Sequence, residues 1–282
     1  MSEILLLAAA KRGVPVPPPP HDVAAMAELA ASIFLRPMRS GRRVPREEGY
    51  LETARRGTMP TSCGALAAWE WGAAGAPLVG FVHGWEGHGA QLGAFAAPLV
   101  AAGFRVLTFD APAHGESPGD EAHVPLLARV LPEIEQEVGR FHALLGHSMG
   151  AAAAAMSTTL GVAPRGLVLL APPMSMRERV ERVAGRMQLE GELREAFFRV
   201  VERRTAATFE DVDLRRVAER APCPLLVLHD PDDGDTSFVE AEKIVAVWRG
   251  ARLVPCPGRG HYRILATPDI VRQAVEFISG LR

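Results

Sequence analysis

Cysteine is scarce in this chain. The 282 residues contain three, Cys63, Cys223 and Cys256. The count is odd and no Cys-x-x-Cys occurs, so neither a disulfide framework nor a thiolate zinc site is indicated. Cys223 precedes one predicted strand and Cys256 follows another. At about 3.3 Å per residue that offset leaves them beyond the reach of about 7 Å that a disulfide allows. An excess of either charge is also missing, with 31 Lys and Arg against 33 Asp and Glu. A net charge of −2 leaves no electrostatic footprint for nucleic acid. The short arginine pairs, Arg42-Arg43, Arg55-Arg56, Arg203-Arg204 and Arg215-Arg216, read as solvated faces. Long apolar runs are wanting too. Ile4 to Ala10 covers only seven residues, with Glu3 where a signal peptide would be positive. By exclusion, a soluble cytoplasmic protein with no membrane or nucleic-acid partner is expected; oligomeric state is not readable.

What remains is ordinary globular composition, 48% hydrophobic and 23% charged, enough for a large core. Pro15 and Pro17 to Pro20 break any helix begun near residue 4. Residues 1–56 are taken as an N-terminal extension packed on a core domain that runs from 57 to 282. Within that domain short apolar runs alternate with helical periodicity. Strands are predicted at Leu66–Trp71, Leu78–Val82, Phe104–Phe109, Phe141–Leu145, Leu167–Leu170, Leu225–Leu228 and Arg252–Val254. The pattern predicts an α/β fold, a mostly parallel central sheet with helices on both faces. Residues 174–221 interrupt the alternation with no strand signal and read as a small helical cap. Its apolar face, including Phe197, Phe198 and Val200, is expected to look inward over Ser148.

The sharpest signal is Gly146-His147-Ser148-Met149-Gly150, set between an apolar run and an alanine-rich one. Strand, G-x-S-x-G, then helix is the layout of a nucleophile elbow. The tight turn needs glycine on both sides of Ser148 and lifts its hydroxyl clear of the sheet. The bland alternative is a strand-to-helix turn with Ser148 as N-cap. A serine nucleophile needs a base, and an acid to orient the base. Of nine histidines only His229 and His261 follow Ser148. His229 ends an apolar strand, whereas His261 lies in a flexible-looking Gly258-Arg259-Gly260-His261 loop before the closing helix. His261 is therefore the expected base. The acid is expected in His229-Asp230-Pro231-Asp232-Asp233-Gly234-Asp235, which also reads as a turn. The oxyanion donors are expected to be the backbone N–H groups of Met149 and of Trp85, in His83-Gly84-Trp85-Glu86-Gly87. His83 reads as a packing residue that holds that loop.

These motifs, with Asp110-Ala111-Pro112-Ala113-His114-Gly115-Glu116-Ser117, resemble in order and spacing the α/β-hydrolase superfamily from about residue 64 onward. In that family the acid loop is G-x-x-D. Here Asp230 stands at the glycine, which makes Asp233 the implied acid and leaves Asp232 or Asp235 as stand-ins. The resemblance implies a serine hydrolase, carboxylesterase-like, acting on a small-molecule acyl substrate with no cofactor and no metal. Amide, thioester or carbon–carbon cleavage, and a non-catalytic ligand-binding protein on the same fold, stay open. Aspartate at the elbow marks the family's dehalogenases and epoxide hydrolases, and Ser148 argues against both.

Overall fold

The computed structural model describes residues 3–39, 44–221 and 223–281. The pair Arg42-Arg43 lies outside the described residues. Eight strands form one sheet: β1 (Arg55–Thr61), β2 (Gly64–Trp71), β3 (Leu78–Val82), β4 (Arg105–Phe109), β5 (Phe141–His147), β6 (Gly166–Leu170), β7 (Leu225–His229) and β8 (Ala251–Pro255). Their spatial order is β1-β2-β4-β3-β5-β6-β7-β8. The β1–β2 and β2–β4 pairs are antiparallel and all later pairs parallel. Strands β3, β6 and β7 are buried along their whole length, as continuous apolar runs covered on both faces must be.

Each face has its own core. On one, helices Val124–Val138, Met149–Ser157 and Phe238–Val247 bury Leu127, Leu131, Ala152 and Ile244 against the sheet. On the other, helices Ala96–Ala101 and Pro268–Ser279 bury Leu99, Ile270 and Ala274. Helix Val124–Val138 keeps Pro132 inside it. No helix of the described residues is long and apolar enough to cross a membrane.

Strand β1 escaped sequence reading. Its seven residues, Arg-Arg-Gly-Thr-Met-Pro-Thr, are mostly exposed and carry no apolar alternation. It is an edge strand, held by backbone pairing to β2 from Arg55↔Glu70 to Thr61↔Gly64. Charge and proline suit an edge, where one row of backbone groups faces water. Because β1 starts at Arg55, the sheet begins inside the segment assigned to the extension.

A third core lies away from the sheet. Helices Glu3–Arg12 and Val23–Leu35 pack against the insertion, whose helices are Met176–Arg186, Gly191–Thr205 and Leu214–Ala218. Leu5, Met26, Leu29 and Ile33 meet Val180, Phe197, Phe198 and Val201 there. The N-terminal extension therefore packs on the insertion. Phe197 is fully buried edge-on to Phe34, with ring centroids 6.1 Å apart, and Phe198 packs on Phe209. The inward view over Ser148 expected for Phe197, Phe198 and Val200 does not occur, because the N-terminal helices cover that face first. Arg203 and Arg204 are not a freely solvated pair either. Both reach Glu28, and Arg204 also meets Glu121 and donates to Ser32 Oγ at 2.7 Å.

Candidate active site

The elbow follows from two close backbone contacts. A Cβ at Gly146 would lie 2.6 Å from Ala151 Cα, and one at Gly150 would overlap the carbonyl oxygens of Val82 and His83. Only glycine fits either place. Between them Ser148 takes φ 50° and ψ −119°, a region that costs a non-glycine residue about 1–3 kcal/mol. Ser148 N–H donates to Leu170 O at 3.0 Å, which ties the turn to β6. The hydroxyl is partly exposed and has no hydrogen-bond partner among the described residues.

Asp233 and His261 meet directly, with Oδ2 2.7 Å from Nδ1. The carboxylate side chain is fully buried. Burial alone would raise its pKa. Hydrogen bonds from His229, His261 and the Thr236 N–H outweigh burial and hold the carboxyl well below the usual range. Its other oxygen accepts from Asp235 N at 2.7 Å and Thr236 N at 3.1 Å. Asp233 thus stays ionised and fixed, and the ionised group requires the Nδ1–H tautomer of His261. Nε2 of that ring has no protein partner among the described residues. Asp232 is exposed. The N-cap of helix Phe238–Val247 is Ser237, in a capping box with Glu240, so Asp235 does not serve as its cap.

Asp230, at the position of the family's glycine, has a structural task. Its Oδ1 accepts Asp232 N at 2.9 Å, and Oδ2 accepts the N–H groups of Arg259 and Gly260. One side chain shapes its own turn and grips the segment that carries His261. The flexible loop expected there is a short helix, Gly260–Arg263, with His261 buried.

Several supporting residues were not identified from sequence. His147 is 2% exposed, and burial pushes its pKa down to about 3, with the adjacent His261 as the next cause. Its Nε2–H donates to His261 O at 3.0 Å, and the two rings lie 4.7 Å apart. The residue preceding Ser148 thus touches His261 directly, although Ser148 Oγ does not bond to it. His229 Nε2 reaches Thr236 O at 3.1 Å and lies 3.5 Å from Asp233 Oδ2. His114 accepts Glu86 N–H at 3.0 Å and donates to Pro112 O at 2.9 Å. A histidine on an apolar strand or in a turn announces no such partner in the sequence.

Trp85 and Met149 line one cavity of about 180 Å³ together with Ser148 and Thr236. Neither backbone N–H has a protein acceptor among the described residues. Gly84 brings the two loops close, since a Cβ there would stand 3.2 Å from Ser148 Cβ and 2.9 Å from His147 Nδ1. His83 bridges this loop to the next: its Nε2 accepts Ala111 N–H at 2.9 Å and Nδ1–H donates to Gly84 O at 2.8 Å. Burial first, and the His114 ring second, hold its pKa well below the ordinary value. It is a neutral brace with no proton to spare. Glu86, at φ 55°, is tied to the extension, accepting Arg12 Nη1 at 2.8 Å and Met38 N–H at 3.0 Å. Asp233, Asp235 and His261 also bring three ligand-type atoms within 4.8 Å of one another. Two of those atoms already bond to each other, so this cluster belongs to the same site.

Comparison by sequence with curated proteins finds no match. Solved structures share the fold. The monoacylglycerol lipase of Paleococcus ferrophilus is 24% identical with a TM-score of 0.61, over 77% of this chain and 99% of that one. An esterase of Rhodococcus is 20% identical with a TM-score of 0.62, over 82% and 100%. An esterase of Pyrococcus furiosus is 18% identical with a TM-score of 0.63, over 88% and 97%. The sequence model of the alpha/beta hydrolase family matches residues 81–274. That span runs from β3 through the elbow to the closing helix, and the chain belongs to the alpha/beta hydrolase family.

Proposed function

We propose that this protein is a serine hydrolase that cleaves a small or medium acyl ester through an acyl-enzyme. Ser148 Oγ attacks the carbonyl carbon while its proton passes to His261 Nε2. Asp233 holds the Nδ1–H tautomer and stabilises the imidazolium that forms. The carbonyl oxygen becomes an oxyanion facing the N–H groups of Trp85 and Met149. His261 returns the proton to the leaving alcohol, and water then attacks the acyl-enzyme by the same route in reverse.

The observation that carries this reading is the 2.7 Å contact between Asp233 Oδ2 and His261 Nδ1. It leaves Nε2 open beside an elbow that presents an unpartnered serine hydroxyl. The missing Ser148–His261 hydrogen bond is compatible with it, because such bonds often tighten only with substrate bound. The fold shared with proteins named as esterases and a lipase points the same way. A fluorophosphonate probe should label the protein stoichiometrically and fail to label Ser148→Ala. Equal labelling of both would reject Ser148 as nucleophile, and no labelling of either would favour a ligand-binding role. A panel of matched esters, thioesters and amides, ranked by kcat/KM, identifies the bond.

A further inference from the structure

The cavity at Ser148 is roofed by helix Met176–Arg186, and the roof is charged. Arg179, Val183 and Arg186 line it, at spacings of four and three residues that put them on one helix face. Arg12 lines it too, but its charge is answered by Glu86 at 2.8 Å. No aspartate or glutamate is among the lining residues. Arg177 on the same helix pairs with Glu181 at 3.8 Å, and Arg182 donates to Asp235 O at 2.6 Å. Among the described residues Arg179 and Arg186 make neither an ion pair nor a hydrogen bond. The largest influences on Arg179 are unfavourable: burial first, then Arg182, with Asp235 the main opposing charge. As the fourth residue of its helix, Arg179 also gains nothing from the helix dipole, which favours cations only at the other end.

A partly buried guanidinium with no carboxylate partner costs stability unless a ligand answers it. The remaining lining is largely apolar, with Ile33, Phe34, Met176, Val183 and Met187. We infer that this cavity takes acyl substrates that carry a second, anionic group, a carboxylate, sulfate or phosphate, held by Arg179 with Arg186 at the mouth. Arg179 is half-buried and Arg186 exposed. Seven residues of helix separate them by about 10 Å, so the pair grades from entrance to interior. A planar guanidinium fork suits an oxyanion and gives little to a neutral chain. This inference rests on the serine hydrolase reading for the reaction, but the anion site itself can be tested without turnover.

The test uses two matched ester pairs. One compares the p-nitrophenyl monoester of pentanedioic acid with p-nitrophenyl pentanoate, so a carboxylate replaces the terminal methyl of the acyl chain. The other compares 3-carboxyphenyl pentanoate with phenyl pentanoate, placing the anion on the leaving group. In at least one pair the anionic ester should have a kcat/KM at least tenfold above its neutral partner. That ratio should fall tenfold or more in Arg179→Gln, fall less in Arg186→Gln, and be intermediate in Arg179→Lys. Added salt should lower it in wild type and leave it unchanged in Arg179→Gln. A ratio insensitive to both glutamine variants in both pairs would overturn the inference while leaving the hydrolase reading intact. If no ester is turned over, the hydrolase reading fails. Calorimetric binding of pentanedioate against pentanoate then decides: an Arg179-dependent preference for the dianion keeps the anion site, and equal or absent binding removes it.

Discussion

At the carboxyl edge of the sheet, polar side chains are held by short hydrogen bonds and by backbone approaches that only glycine permits. Asp233 alone accepts from Asp235 N, Thr236 N and His261, and Gly146 and Gly150 admit no Cβ. Above that edge the roof is assembled differently. Two N-terminal helices and the insertion meet through an apolar core of their own, fastened at the rim by Arg203 and Arg204 to Glu28 and by Arg12 to Glu86. A hydrogen-bonded edge fixes atoms to fractions of an ångström, as the proposed proton transfer demands. An apolar roof fixes only which faces meet, and so can set the shape and charge of a cavity while leaving the chemistry alone.

The contrast breaks first at Ser148. Its replacement by alanine should lower kcat by about 10⁴-fold or more with an unchanged melting temperature, since the elbow accepts a smaller side chain. Substantial residual turnover in clean protein would remove the edge as the seat of chemistry. Asp233→Asn should also be severe, a loss of about 10⁴-fold in kcat, because the amide favours the wrong imidazole tautomer. Asp232→Asn should be mild, since Asp232 is exposed. A crippled Asp232 variant beside an active Asp233 variant would place the acid elsewhere.

On the roof the expected effects are on stability. Phe197→Ala removes a fully buried ring from the N-terminal interface and should cost about 3–5 kcal/mol, read as a lowered denaturation midpoint. Acyl-chain preference should move little, because Phe197 does not line the cavity, whereas Phe34 does. A shifted preference with full stability would mean that the insertion face looks inward after all.

Smallest, and separable by pH, are the buried imidazoles. His123, a cavity residue, has its pKa pushed by burial, and next by Arg129, down to about 4. Unfolded histidine titrates near about 6.5, so the unfolded chain binds more protons as pH falls. Stability should therefore drop from about pH 6.5 toward pH 4. His123→Asn, which can still cap helix Val124–Val138, should recover roughly 2 kcal/mol of that loss at about pH 4.5. Asp233 acts in a lower window. Its pKa is depressed, so its contribution is present above the unfolded aspartate value of about 3.9 and disappears as pH falls below it. Identical melting-temperature profiles for wild type and His123→Asn between pH 7 and 4.5 would show that His123 is not held neutral.

The sheet was legible where strands are continuous apolar runs, as in Leu78–Val82, which reads the same from sequence and structure. Strand β1 was not, because an edge strand of arginine, threonine and proline is stabilised by its neighbour's backbone rather than by its own burial. Around the site, Ser148 and His261 could be singled out because glycine spacing and chain order carry them, and Asp233 because the resemblance to the family's acid loop implies it. Of the braces, only His83 reads from sequence as a residue that holds its loop. His114, His147 and His229 do not, because their partners lie far along the chain or across a turn, and a lone histidine names no partner.

Sequence by itself determined the family, the parallel α/β sheet and the elbow at Ser148. Their determinants are local: short continuous apolar runs, apolar residues at helical spacing, and glycines where a backbone leaves no room for Cβ. Tertiary structure alone decided that the extension closes the roof, that Phe197 faces Phe34 instead of Ser148, and that Asp230 grips the His261 segment. It also decided that Arg179 looks into the cavity without a carboxylate. Amphipathic spacing says that a face must be buried but carries no information about its partner. That choice belongs to whichever surfaces can exclude the most water together once the chain has folded.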